Sequence, residues 1–191
     1  MNRDLKRDNA GYSLAELIVT FALMGIFLAA VAAVISSSVI IHSELTGAMY
    51  AQSVSETLLD KVTGELTAAK PIGEEAIVVG TILKNGEDAG SGISFYDKDG
   101  QRSCFIVEDG MLVMENEGAW RMDAKAYIGY RISEMQINRL NDESVFEVTI
   151  KVKNLKTDFE YTASRTVKSY NFKTQEDYEK IKEGDILWDN S

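Results

Sequence analysis

One histidine, one cysteine and one proline stand among the 191 residues of this chain, and each scarcity removes a class of proteins. With His42 alone there is no Ser-His-Asp triad and no histidine metal cluster. With Cys104 alone there is neither an internal disulfide nor a CxxC pair, so a domain outside the cell must draw its stability from an apolar core. Cys104 precedes Phe105 and Ile106, the setting of a buried, inert thiol rather than a nucleophile. Positive charge is also short: 20 Lys and Arg against 30 Asp and Glu leave a formal net charge of −10. A phosphate backbone is bound by basic patches, so direct nucleic-acid binding is not expected. The acidic residues are scattered rather than paired, and the chain reads as a non-enzyme with no cofactor and no metal site. No proline precedes Pro71, so nothing before it forces a helix to break.

Charge is missing locally as well. Residues 17–41 contain no charged side chain. At 1.5 Å per residue a helix of about 25 residues reaches roughly 37 Å, enough to cross a hydrocarbon core of about 30 Å with some tilt. Glu16 stands at the edge of this run between Ala15 and Leu17. A carboxylate drawn into lipid there costs up to about 3 kcal/mol, which marks it as a functional residue in need of a partner. Arg3, Lys6 and Arg7 precede the run, and the next basic residue after it is Lys61. That bias places the N-terminus in the cytoplasm and the bulk of the chain outside.

The residues Gly11-Tyr12-Ser13-Leu14-Ala15-Glu16, behind a short charged leader and ahead of an apolar helix, resemble the processing site of type IV pilins and pseudopilins. In that family a glycine precedes the cut and a glutamate is the fifth mature residue. Gly11, Leu14 and Glu16 fit; Tyr12 replaces the usual phenylalanine, Ser13 the usual threonine and Ala15 a larger aliphatic residue. The resemblance covers roughly the first 40 residues. It implies a prepilin peptidase that cuts after Gly11 and methylates the new amino terminus at Tyr12. It also implies assembly with other pilin subunits, as a homo- or hetero-polymer, after a stage in the membrane. The freed amine at Tyr12 would lie four residues from Glu16, one helical turn away on the same face. A first-turn carboxylate also meets the positive end of the helix dipole. In a filament, the family resemblance implies that Glu16 pairs instead with the amine of a neighbouring subunit. The disulfide loop of many Gram-negative pilins is absent, and so is the proline many carry in the helix.

Within the span, Gly25, Ala29, Ala33 and Ser37 recur every four residues and present small side chains for close helix packing. From residue 42 the pattern turns amphipathic. Leu45, Met49, Leu58, Val62, Leu66 and Ala69 make an apolar stripe, with Glu44, Gln52, Glu56, Asp60 and Lys61 available for the other side. One helix is predicted to continue until Pro71 and Gly73 stop it, despite Gly47 and Gly64.

The remainder reads as strands that cover this stripe. Residues 76–83 form a strand closed by Asn85-Gly86, followed by a flexible loop over 86–92. Asp97-Lys98-Asp99-Gly100 and Asp109-Gly110 are hairpin turns between short apolar runs. Asp97 and Asp99 do not make a calcium loop of the EF-hand type, because the first and last ligand positions fall on Phe95 and Ile106. Residues 126–132 suggest a strand, with a phase shift before Met135 and Ile137 that suggests a bulge. Phe146, Val148, Ile150 and Val152 alternate with polar residues. Phe159, Tyr161, Ala163 and Val167 do the same after a turn, as in an antiparallel hairpin with one wet face. Thr174 is set to cap a short helix, and Ile186, Leu187 and Trp188 sit in an acidic tail.

The expected architecture is α+β: a long N-terminal helix, part membrane and part amphipathic, packed on an antiparallel β-sheet as in pilins. The expected divisions are a cytoplasmic leader at 1–11, a transmembrane and assembly helix at 12–41, its amphipathic continuation at 42–70 and a β-rich extracellular region at 71–191. The reading that follows is a structural filament subunit. Two others stay open. One is a membrane-tethered binding or adhesive domain that never polymerises. The other is a secreted enzyme behind a signal peptide cut within residues 29–38.

Overall fold

The computed structural model describes residues 13–84, 87–116, 120–141 and 143–188. Its first element, α1 (Leu14–Ala68), runs through two compact units that divide between Thr46 and Gly47.

In the first unit α1 is helical without interruption. Residues 13–45 are all exposed, and an 18-residue window reaches a mean hydropathy of 2.7 with none of it buried. A soluble core helix of that hydropathy would be covered by its own chain; this one is not. The hydroxyls within it are turned back on the helix, Ser37 and Ser38 donating to the carbonyls of Ala33 and Val34 at 3.1 and 2.9 Å. A hydroxyl satisfied in this way costs an apolar surface little.

In the second unit the apolar stripe of α1 begins later than its sequence spacing suggests. Ala51, Val54, Leu58, Leu59, Val62 and Leu66 are buried, whereas Leu45 and Met49 are 60% and 69% exposed. Periodicity marks the apolar side of a helix but not how far the cover extends. The helix ends three residues before Pro71. Its last carbonyl, Ala68, and that of Ala69 just beyond accept hydrogen bonds from the Asn171 side chain at 3.0 and 3.1 Å, so a distant loop closes it.

The cover is two sheets rather than one. The larger holds β1 (Ile77–Lys84), β2 (Glu87–Tyr96), β3 (Arg102–Glu108), β4 (Met111–Glu115) and β5 (Trp120–Arg121) as an antiparallel succession. After it come a 3-10 turn (Ala124–Tyr127) and the smaller sheet of β6 (Tyr130–Leu140), β7 (Val145–Asn154) and β8 (Glu160–Lys168). A short α2 (Gln175–Glu179) precedes β9 (Ile181–Glu183) and β10 (Ile186–Trp188), both of which pair parallel with β1.

The β7 alternation is as its sequence reads: Phe146, Val148, Ile150 and Val152 are fully buried. The phase shift before Met135 is a register slip between Ile132 and Glu134, and Met135 and Ile137 are buried after it. Asp109 and Gly110 have φ of 51° and 69°, the conformation a two-residue hairpin turn needs. Asp97 folds onto its own turn, its carboxylate accepting from the N–H groups of Asp99 and Gln101 at 2.9 Å each.

Two elements depart from expectation. Residues 87–92 are a strand rather than a loop, and Gly80 opposes Gly92 in the β1–β2 ladder. Their glycines serve close approach: a Cβ at Gly80 would lie 2.0 Å from the Gly184 carbonyl oxygen, and one at Gly92 2.3 Å from that of Phe105. Residues 124–127 form the 3-10 turn, so β6 starts only at Tyr130. The Asn85-Gly86 turn lies outside the described residues.

The larger sheet buries both faces. Ile77, Val79, Ile93, Phe95, Phe105, Leu112 and Met114 join the main core with α1 and the smaller sheet. Val78, Ile82, Cys104, Ile106, Val113 and Ile186 form a second cluster behind it. Lys84 of β1 reaches Glu108 of β3 and Glu115 of β4 at 2.7 and 2.5 Å. Flat strands spaced about 4.8 Å apart would hold β1 and β4 beyond a lysine's reach, so the sheet curls around this second core.

Candidate processing and assembly site

Helix α1 opens with a reciprocal cap. The Ser13 N–H donates to Glu16 Oε2 at 2.9 Å, and the Glu16 N–H donates to Ser13 Oγ at 3.3 Å. The Leu17 N–H meets the Ser13 carbonyl at 3.2 Å, the first bond of the helix. This is a capping box, Ser-x-x-Glu, which satisfies two of the amide donors a helix start leaves open. The Glu16 carboxylate therefore has a partner within its own chain as well as the favourable end of the helix dipole. Thr20 adds a bond from its hydroxyl to the Glu16 carbonyl at 2.7 Å. The signal for Ser13 was legible as a serine three residues before a glutamate at the head of an apolar run.

Gly11 and Tyr12 lie outside the described residues, so the structure places neither the scissile bond nor the amine that cleavage would free. Gly25, Ala29, Ala33 and Ser37 lie in α1, exposed. A Cβ added at Gly25 would meet nothing within 4 Å.

Elsewhere the chemistry is sparse. Burial pushes the Cys104 thiol up to about 12, with the nearby Glu115 carboxylate adding to the shift, so it is a protonated core residue at neutral pH. Among the described residues no three His, Cys, Asp or Glu side chains are grouped to hold a metal ion. A polar cleft of about 600 Å³ is lined by residues that include Thr81, Ser91, Gln136, Asn138, Glu183 and Asp185. The Arg139 guanidinium at its wall donates to the carbonyls of Tyr178, Ile181 and Glu143 at 3.0 to 3.2 Å. It braces β6 against α2 and the start of β9.

No curated protein and no solved structure matches the chain. Residues 6–32 match the prokaryotic N-terminal methylation motif. With this match on one exposed, apolar N-terminal helix, the chain is a membrane-anchored, single-pass protein that carries the prepilin signal of type IV pilins and pseudopilins.

Proposed function

We propose that this protein is a structural subunit of a type IV pilus or a pilus-like filament of a secretion or competence system. The leader, residues 1–11, is cytoplasmic and is removed by a prepilin peptidase that cuts after Gly11 and methylates Tyr12. Residues 12–41 hold the subunit in the cytoplasmic membrane and then pack against other pilin subunits through Gly25, Ala29, Ala33 and Ser37. Residues 42–70 continue the helix into the β-rich region at 71–191, which lies outside the cell. The observation that carries this reading is the match at residues 6–32, which sets the processing signal directly ahead of an apolar helix that its own chain leaves bare. A bare helix with small residues on one side suits packing against copies of itself. The motif is that of structural proteins, which supports a non-catalytic role.

The capping box sharpens the part assigned to Glu16. Gln fills the same capping position as Glu, whereas Leu does not. Glu16→Gln therefore removes the charge and keeps the cap; Glu16→Leu removes both, at about 1 kcal/mol for the cap. Mass spectrometry of the mature N-terminus and the ratio of sheared extracellular to membrane-held protein are the two readouts. Cleavage after Gly11 with methylated Tyr12 is expected for all three chains, with filament incorporation lost in both variants if charge pairing registers the subunits. Full incorporation of Glu16→Gln would reduce the role of Glu16 to starting the helix. An intact Met1, with no extracellular polymer, would favour the tethered binding domain.

A further inference from the structure

We propose that the paired loops at residues 124–129 and 154–159 form a lipid-contact surface. Ile128 and Leu155 enter the headgroup region of an anionic bilayer, and Lys125 and Lys156 meet its phosphates. The inference rests on the membrane anchor and not on processing or polymerisation.

Two hydrogen bonds define the place. The Leu155 N–H donates to the Gly129 carbonyl at 2.9 Å and joins the two loops. The next residue, Tyr130, donates its hydroxyl to the Gly47 carbonyl at 2.7 Å. Gly47 follows Ile41, the last residue of the charge-free run, by six positions. Six residues span at most about 20 Å in any conformation, so Gly47 and the tyrosine bonded to it stay on a short lead from the end of the charge-free run.

The side chains at that place are exposed and apolar where polar ones would be expected. Leu155 is 64% exposed at the tip of the β7–β8 hairpin, and Ile128 is 46% exposed. Ile128 has φ 51° and ψ 36°, a left-handed conformation that opposes a β-branched side chain. Glycine would hold the same turn without strain. The isoleucine keeps a bulky apolar group at the tip instead, which suits an interface that takes up such groups.

Charge supplies the choice of partner. The two loops, residues 124–129 and 154–159, carry Lys125 and Lys156 against Asp158 alone, in a chain of net −10. Lys153 pairs with Asp158 at 3.2 Å, and Arg131 lies over the Tyr127 ring. Lys125 and Lys156 are exposed, and among the described residues no carboxylate pairs with either. Lysines flanking exposed aliphatic tips are complementary to an anionic lipid surface, which takes up the aliphatic groups as well as meeting the charge.

The full chain reconstituted in vesicles tests this. Single cysteines at Ile128, Leu155 and Tyr170 carry an environment-sensitive fluorophore, and the unsubstituted chain, whose Cys104 is buried, is the blank. Tyr170 is an equally exposed aromatic whose N–H meets the Thr67 carbonyl. That is twenty residues, about 30 Å, further along α1 than Gly47. In vesicles containing phosphatidylglycerol and a headgroup-region spin-labelled lipid, the probes at 128 and 155 are expected to be quenched several-fold more than the probe at 170. Lys125→Glu with Lys156→Glu should remove most of that excess. So should about 1 M salt, at which the screening length falls to about 3 Å. Ile128→Gly relieves the backbone strain and should raise thermal stability while lowering quenching at 155, a combination a purely structural role would not produce. Quenching at 128 and 155 no greater than at 170 overturns the proposal. A probe signal that follows protein density in the vesicle rather than spin-labelled lipid also overturns it, and assigns the surface to a second copy of the chain. Processing after Gly11 is read separately by mass, so either result stands apart from the filament reading.

Discussion

Leu45 and Leu58 lie on what sequence spacing reads as one apolar stripe, and the structure treats them differently. Leu58 is fully buried with Val54, Leu59, Val62 and Leu66, whereas Leu45 is 60% exposed. Truncating a buried leucine to alanine removes about three methylene equivalents from the core and leaves a partly collapsed cavity, a loss of about 2 to 5 kcal/mol. Against a domain stability of about 5 to 15 kcal/mol, that is a large fraction of the total. Taking about 3 kcal/mol, and about 3 °C per kcal/mol for a unit of this size, Leu58→Ala should lower the melting midpoint by about 9 °C. Leu45→Ala should change it by no more than about 0.5 kcal/mol. Leu58→Asp places an unpaired charge among the sheets and should prevent folding of the second unit. The assay is thermal unfolding in detergent micelles followed by near-ultraviolet circular dichroism, since Trp120 stands half-buried with Lys61 5.0 Å from its ring centre. Far-ultraviolet signal from the apolar helix persists in the micelle and would mask the loss. Equal shifts for Leu45→Ala and Leu58→Ala would refute the placement of the sheets on α1.

Ser55 is fully buried and its hydroxyl has no hydrogen-bond partner among the described residues, so Ser55→Ala should be neutral or stabilising by about 1 kcal/mol in a urea titration. Lys84 is held protonated above the ordinary lysine value of 10.5 by its bond to Glu108, then by that to Glu115. A raised folded value means its contribution is complete below the ordinary lysine value and disappears as pH rises through the folded value. Lys84→Met leaves the buried Glu115 unpaired and should cost on the order of 2 kcal/mol at neutral pH, with part of the loss recovered in Lys84→Met with Glu115→Met. Denaturation midpoints that show no coupling between the two sites would contradict the closure of the second core by this pair.

How much of this protein could be read from its residues depends on how far apart the interacting groups lie. The charge-free run and the Ser13–Glu16 cap are set by neighbours within one helical turn. So are the alternation of β7, the Asp109-Gly110 turn and the folding of Asp97 onto its own loop. Each follows from spacing and backbone preference alone, and each was legible without a structure. The α+β class was legible for the same reason, since an apolar stripe and alternating strands must cover one another.

What tertiary contact decided is the identity of each cover. Residues 87–92 look like a loop because their glycines have no local use. Gly92 and its partner Gly80 are required only because Phe105 and Gly184, remote in sequence, approach within a methyl's radius. Periodicity could not say that the stripe of α1 begins at Ala51, nor that the strands divide into two sheets. It gave no sign that β9 and β10, about a hundred residues after β1, would pair parallel with it. Nor could it show that Lys84 would meet Glu115 across a curled sheet, or that Leu155 would reach Gly129 beside the strained Ile128. A hydrophobic pattern specifies which side of an element avoids water. Which surface excludes that water is chosen by the free energy of the whole packed unit, and so it appears only when distant segments meet.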